Sequence, residues 1–549
     1  MLPRLVPRFT RLLPCWLPCW LLASAPLDAQ QKPATPARAI TTREIDAHLR
    51  FLSHDLLEGR APATRGGRLA AEYIAAQLQA YGLEPAGENG WFQKVPIDIV
   101  GAKPATIRAS VSGKATATLR YPDDVVVWGG SATERSAARG ELVFVGYGAS
   151  APEYRWNDFK DVDVKGKVLL VLVNDPPAPA NEPALFGGRA MTYYGRWPYK
   201  FEEAERRGAV GALIIHTTER AGYPWHTVVG SWAKEQRMLP RPASAPAPLG
   251  IRGWITDSTA SALLAQAGFD LAKLRTQAES RDFRPVSLGI AVDMSFENSV
   301  QHLQSENVLG LLRGKDPKGS AEVVVLSAHW DHLGIGPAVN GDSIYNGAED
   351  NASGTANLLA VARAAAEGSR ARRSLLFAFV TAEESGLLGS QFLAEHPAVP
   401  LTLTVANLNM DGGNLLGRVK DLNVLGDTKS TLGPQLATWL GPRGIKIVPE
   451  AFPERGAFYR SDHFSFAKVG IPAVSIGAGN DYLDHPAGWG SAQQQDYTDH
   501  RYHQPSDQYD AKFDLTGATQ LSQILLRLGL KLANEPGWPQ WSKDAEFKR

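Results

Sequence analysis

From Ser305 onward, short apolar runs of strand length alternate with segments of helical length. Val323 to Ala328 and Ser374 to Thr381 are nearly continuous apolar runs, and the Ala-rich stretch from Gly354 to Glu367 lies between them. Val405 to Leu408, Leu422 to Leu425 and Ala473 to Ile476 read as further strands. This alternation predicts an α/β fold, with a mixed, mostly parallel sheet and helices on both faces. Nearer the N-terminus, Thr41-Thr42-Arg43-Glu44 has the form of a capping box, followed by Ile45, Leu49 and Leu52. Leu69 to Tyr81 predicts a second helix, stopped by Gly82. Neither helix carries a group with evident chemistry, so both are read as scaffold.

Between about Tyr121 and Arg284 the texture changes. Glu141 to Gly148 is a strand running into a glycine turn, Val168 to Val173 a buried strand, and Phe201 to Arg207 a helix. Gly208 to Ile215 is a tight turn entering another strand. Trp156, Trp197, Trp225 and Trp232 are spread through loops rich in Pro and Gly and are read as packing residues. The stretch 121–284 is therefore predicted to be a self-contained β-rich unit, inserted into a discontinuous domain of residues 41–120 and 285–549.

Composition changes the picture in two ways. Lys+Arg and Asp+Glu balance at 57 each, so charge gives no reason to propose nucleic acid or an anionic membrane as a partner. Arg4, Arg8 and Arg11 precede an apolar run from Leu12 to about Ala25, and Leu27-Asp28-Ala29 ends on a small residue. Residues 1–29 thus predict a signal peptide cleaved near Ala29, followed by a Pro/Ala-rich linker over 30–40. The run is too short to be a stable membrane span, and the expectation is a secreted or periplasmic protein. Both cysteines, Cys15 and Cys19, lie in the signal segment. Any zinc in the mature chain would then be held by His, Asp and Glu.

In open α/β sheets the site lies beyond the strand C-termini. The strand ending at Ala328 is followed by His329-Trp330-Asp331-His332, the one ending at Thr381 by Ala382-Glu383-Glu384, and the one near Leu408 by Asn409-Met410-Asp411. The loop Tyr345 to Glu349 delivers Asp350, and Tyr502-His503 adds another imidazole near the end. Three carboxylates (Asp350, Glu384, Asp411) and two neutral imidazoles (His329, His503) offset three of the four charges of two zinc ions. A hydroxide would balance the fourth, and metal-bound water near neutral pKa supplies it. A shared ligand must be a carboxylate, and Asp350 is assigned to it. Adjacent Glu383 and Glu384 diverge, so Glu384 is assigned to metal and Glu383 to proton transfer as general base. Asp331 is placed to accept the remaining ring N–H of His329. Ser461-Asp462-His463 lacks an accompanying nucleophile elbow, and His463 is expected to line or underlie the pocket without touching metal. Asp507 either orients His503 or caps a turn.

These motifs resemble, in order, those of the di-zinc aminopeptidase family, which includes bacterial leucyl aminopeptidases and aminopeptidase Y. The likeness covers roughly 41–120 and 290–535 and implies the zinc-dependent exopeptidase fold. It implies that His329 and Asp411 hold one zinc, Glu384 and His503 the other, and that Asp350 bridges them. It further implies Glu383 as base, Tyr502 as the group polarising the scissile carbonyl, and peptides with a free N-terminus as substrates. Segment 121–284 resembles a protease-associated domain, mostly through Gly208 to Ile215. Competing readings are a carboxypeptidase, which needs a basic pocket that no cluster of arginines in the sequence announces, a single-zinc glutaminyl-cyclase-like transferase, and a catalytically dead binding module. Oligomeric state is not legible in the sequence.

Overall fold

In the computed structural model of the chain, residues 39–549 are described. The predicted signal segment with Cys15 and Cys19, and residues 30–38 of the linker, lie outside the described residues.

The main sheet is built on Val323–His329, which pairs in parallel with Ser374–Val380 on one side and Thr404–Asn409 on the other. Thr404–Asn409 pairs in parallel with Ala473–Ala478, and beyond that Asp421–Leu425 runs antiparallel. On the opposite edge, Val308 to Leu312 pairs antiparallel with Ser374–Val380. The sheet is therefore mixed and mostly parallel, as the alternation of elements predicts.

Both faces are covered, which explains the continuous apolar runs. Val324, Leu326 and Ala328 point into a core with the helices Thr42–Leu52, Arg65–Ala80, Gly354–Glu367 and Thr516–Asn534. Val323 and Val325 point the other way, toward Leu393, Phe466 and Ile471. Successive strand residues serve opposite layers, so no position can be polar without a partner. Helix Gly354–Glu367 is buried almost all round, packed between the sheet and the outer helices. The first helix begins as expected, with Thr41 accepting from the Glu44 amide. The Glu44 carboxylate, however, pairs with Arg363 and does not turn back to complete a capping box.

A second sheet is formed by Val125–Trp128, Arg135–Phe144, Val168–Leu172, Gly211–His216 and Ile251–Thr256. It also recruits Arg108–Gly113 and the first half of Val286–Leu312, which lie outside the bounds 121–284 drawn from sequence texture. The reason is that Val286–Leu312 is one continuous strand of 27 residues. Its first half belongs to the second sheet, and its second half pairs with Phe92–Ala102 and enters the main sheet. The two units share this strand, so no loop marks their boundary.

They also share a seam. Met191 N–H donates to the Pro453 carbonyl (3.0 Å), and the ring of Tyr193 lies 5.9 Å from that of Tyr459 and 5.0 Å from that of Phe464. Trp156, Phe186, Tyr194 and Tyr199 of the second unit join Phe458 and Phe547 of the first in one buried cluster.

Candidate metal centre

The parallel strands of the main sheet end along one edge. Val323–His329 carries His329 at its last position, Thr404–Asn409 leads directly to Asp411, and Ser374–Val380 leads through Thr381 and Ala382 to the two glutamates. Ala382 sits at φ 55°, a left-handed conformation that an L residue with a side chain seldom adopts. This kink re-aims the chain just before Glu383, so the pair enters the site and serves two different groups. Glu383 clusters with His329 and Asp411, and Glu384 with Asp350 and His332.

Asp350 stands in the middle. Its Oδ1 lies 3.4 Å from His329 Nε2, and its Oδ2 lies 3.2 Å from His503 Nε2. His329 Nε2 is also 3.3 Å from Asp411 Oδ1, and His503 Nε2 is 3.1 Å from Glu384 Oε2. Donors at about 2.0–2.1 Å from a tetrahedral zinc stand about 3.3 Å from one another. The four separations match that figure. Of these atoms, the buried His503 Nε2 makes no hydrogen bond of good geometry to any described residue. Imidazole nitrogens and carboxylate oxygens with this spacing and no other commitment fit a divalent-metal centre. His332 Nδ1 is only 2.6 Å from Glu384 Oε1, too close for a ligand of the same ion.

The electrostatics point the same way. Burial opposes ionisation of Asp350, but the imidazoles of His329 and His503 close to its two oxygens overcome it and hold the carboxyl well below its ordinary range. Burial pulls both imidazoles down, and the surrounding carboxylates more than reverse this: His329 is raised well above its usual value, His503 to about 10. Burial, with Asp411, Glu384 and Asp462 adding to it, lifts Glu383 well above the carboxylate range against the pull of His329. Burial likewise pushes Asp331 up to about 6 and Asp462 to about 7. So many carboxylates in one buried place call for cations.

The supporting residues depart from expectation in two places. Asp331 lies against His329, but its carboxylate is 3.8 Å from Nδ1, which meets the Asp331 backbone carbonyl at 3.2 Å. The carboxylate accepts instead from the Glu383 amide (3.1 Å), fixing the backbone of the proposed base. Asp507 neither orients His503 nor caps a local turn. Its two oxygens accept from the amides of Glu349 (3.0 Å) and Asp350 (3.1 Å), with the Tyr497 hydroxyl at 3.2 Å. It thus holds the loop that presents Asp350. Asn351 joins that loop to the Asp411 loop through the Gly412 amide (2.9 Å) and the Met410 carbonyl (3.2 Å).

Arg60 was missed. It is fully buried at the end of the short segment Asp55–Arg60, between the two helices read as scaffold. Its guanidinium donates to the carbonyls of Leu52 (2.6 Å), Trp330 (2.8 Å), Asn346 (2.5 Å) and Gly347 (3.0 Å). It therefore ties the loop after His329 to the loop before Asp350. Burial lowers its pKa to about 10 against the pull of Asp331, Asp507, Asp350 and Glu384. Nothing in its spacing marks it, because its partners are backbone carbonyls.

The remaining candidates fall at or beside the centre. The Tyr502 ring stacks on His503 at 3.8 Å, and the residue is 48% exposed, at the mouth of the site. His463 is buried against Phe458, and burial lowers it to about 3. His485 stacks on Trp489, and His500 pairs with Asp496, so neither competes with His503.

Residues 307–529 match the family described as Peptidase family M28. Leucine aminopeptidase 2 of Trichophyton rubrum is 28% identical over 212 residues, covering 36% of this chain and 38% of the relative. The chain thus spans well under half the length of this curated relative. Among solved structures, the aminopeptidase of Aneurinibacillus sp. strain AM-1 is 19% identical, with a TM-score of 0.46 over 91% of this chain and 95% of the other. A zinc aminopeptidase from Bacillus subtilis is 17% identical, with a TM-score of 0.41 over 93% and 98% of the two chains.

Proposed function

We propose that this chain, whose residues 307–529 belong to Peptidase family M28, is a secreted aminopeptidase that binds two zinc ions and removes residues from the N-terminus of peptides. The observation that carries the reading is Asp350, whose two oxygens face two different imidazoles, His329 and His503, at 3.4 and 3.2 Å. Only a carboxylate can serve two ions at once in this way. His329 and Asp411 would hold one ion, Glu384 and His503 the other, and Asp350 both. Bound there, the ions would lower the pKa of water and polarise the scissile carbonyl.

The protein's own residues do the rest. Glu383 takes a proton from the attacking water on its carboxylate and returns it to the leaving nitrogen. Its place beside His329 and Asp411 sets its carboxylate within reach of a water held there. Asp331 fixes the Glu383 backbone, and Asp507 and Arg60 fix the Asp350 loop. Tyr502, at the mouth and held by its stack on His503, would donate its hydroxyl to the substrate oxygen that gains charge. The unit carrying the second sheet is proposed to be a protease-associated domain. Secretion rests on residues 1–29, and among the described residues no helix is long and apolar enough to cross a membrane.

The test is hydrolysis of leucyl-p-nitroanilide and its N-acetyl form by the purified chain, with chelator and with zinc restored. Zinc-dependent cleavage of the free-amine substrate alone is expected. Cleavage of the acetylated substrate at a similar rate, or activity that survives chelation, overturns the reading.

A further inference from the structure

The acids along the seam between the two units are already paired. Glu454 meets Arg189 at 3.1 Å, Glu202 meets Lys468 at 2.9 Å and the Tyr193 hydroxyl at 2.6 Å, and Glu546 meets Lys429 at 3.0 Å and the Tyr459 hydroxyl at 2.7 Å. Two arginines are left over. Arg196 follows Tyr193 by three residues in the second unit, and Arg460 follows Tyr459 directly in the first. Contacts along the seam run in step, with Arg189 at Glu454, Met191 at Pro453, and Tyr193 at Tyr459 and Phe464. This brings the two arginines to the same stretch of the seam.

Neither guanidinium makes a hydrogen bond or ion pair with any described residue. The contrast with the buried arginines is sharp. Arg60 donates to four carbonyls, Arg363 pairs with Glu44, and Arg373 has Glu322 and three carbonyls. Arg196 is half-buried, and burial together with the nearby charge of Arg460 pushes it down to about 10, the cost of holding like charges together. Arg196 also caps helix Trp197–Arg206, which has no side-chain cap and no acid in its first turn, so the helix dipole adds to the positive potential. Tyr223 of the second unit is within electrostatic reach of both arginines.

Arg460 stands on the segment that runs to the metal centre. Arg460 immediately precedes Ser461, whose hydroxyl accepts from Asn409 at 2.9 Å, and Asn409 stands two residues before Asp411. The next residue, Asp462, is fully buried and within electrostatic reach of His329 and Asp411.

We infer that Arg196 and Arg460 form a subsite for a carboxylate of the peptide substrate, supplied half by the inserted unit and half by the catalytic one. Two planar guanidinium forks without a protein acid suit bidentate recognition of a carboxylate. The carboxylate is either the C-terminus of a short peptide or an acidic side chain. The inference rests on the peptidase reading, and it gives the inserted unit a part in choosing substrate.

The experiment compares kcat/KM for matched pairs with the zinc-loaded full chain. Leu-Gly-Gly against its C-terminal amide reads the terminal carboxylate, and Leu-Glu amide against Leu-Gln amide reads the side chain. The wild type is expected to favour the carboxylate form by about 10–100-fold in one of the two arms, the range of a charge-assisted pair. That ratio should fall toward unity in Arg196→Met and in Arg460→Met, and be partly kept in Arg460→Lys. Neither guanidinium makes a hydrogen bond or ion pair with the fold, so melting temperatures no lower than that of the wild type are expected and accompany the ratios. Cleavage of leucyl-p-nitroanilide with no discrimination in either arm overturns the subsite and leaves the peptidase reading standing. A wild-type preference that persists in both methionine variants also overturns it. No cleavage of any substrate overturns both readings.

Discussion

Replacing Arg60 by lysine keeps a positive charge and removes the fork. The guanidinium meets four carbonyls from three directions: Trp330 on Nε, Leu52 and Asn346 on Nη1, and Gly347 on Nη2. A single ammonium has three hydrogens at one point and cannot span them, so about two carbonyls lose their donor. Charge-assisted hydrogen bonds contribute about 1.5–3 kcal/mol each, so the loss is roughly 3–6 kcal/mol, large against a total stability of about 5–15 kcal/mol. Lower stability alone would say nothing about the site. Arg373 provides the control: it is equally buried and donates to three carbonyls and Glu322, at the other end of the same strands. Arg60→Lys and Arg373→Lys should lower the melting temperature by similar amounts. Only Arg60→Lys should weaken zinc binding, by about 10–100-fold in competition with a chromophoric chelator, because only Arg60 sets the distance between the His329 and Asp350 loops. Equal zinc affinity in the two variants would refute the reasoning.

Other substitutions test the proposed chemistry and the fold. Glu383→Gln should lower kcat by about 10²–10⁴-fold while zinc content by atomic absorption stays unchanged; a variant that loses zinc makes Glu383 a ligand and not the base. Tyr502→Phe keeps the stack on His503 and removes the hydroxyl, and kcat should drop by about 10²-fold with KM nearly constant. An unaffected kcat removes Tyr502 from the mechanism. His48 packs between the hydroxyls of Tyr73 (2.8 Å) and Tyr81 (3.1 Å), and burial pushes it down to about 4 despite the attraction of Glu44. Its folded pKa is depressed, so the stability it contributes is present above about 6.5, the unfolded value, and is lost as pH falls toward about 4. Between pH 6.5 and 5 this amounts to about 2 kcal/mol. The urea midpoint should therefore fall more steeply in the wild type than in His48→Gln over this range, and parallel declines would count against the assignment.

The strands of the main sheet were legible because their signal is local. Val323 to His329 and Ser374 to Val380 are buried on both faces, so nearly every position must be apolar, and the run shows in the chain itself. The polar residues that follow these runs, His329, Glu383, Glu384 and Asp411, were legible for the same reason: strand ends open onto one edge of a parallel sheet. Other features depend on distance through space. The strand Val286–Leu312 alternates for half its length and fell whole on one side of a boundary drawn from loop texture, although it serves two sheets. Arg60 and Asp507 act on backbone carbonyls and amides, groups that every residue possesses and no sequence pattern displays. Arg196 and Arg460 are 264 positions apart, so no cluster of arginines could be read along the chain. The sequence by itself determined the period of each element and the chemistry waiting at each strand end. Only the tertiary structure decided which distant groups share a dry, low-dielectric space, where an unpaired charge or an uncommitted carbonyl carries its full cost.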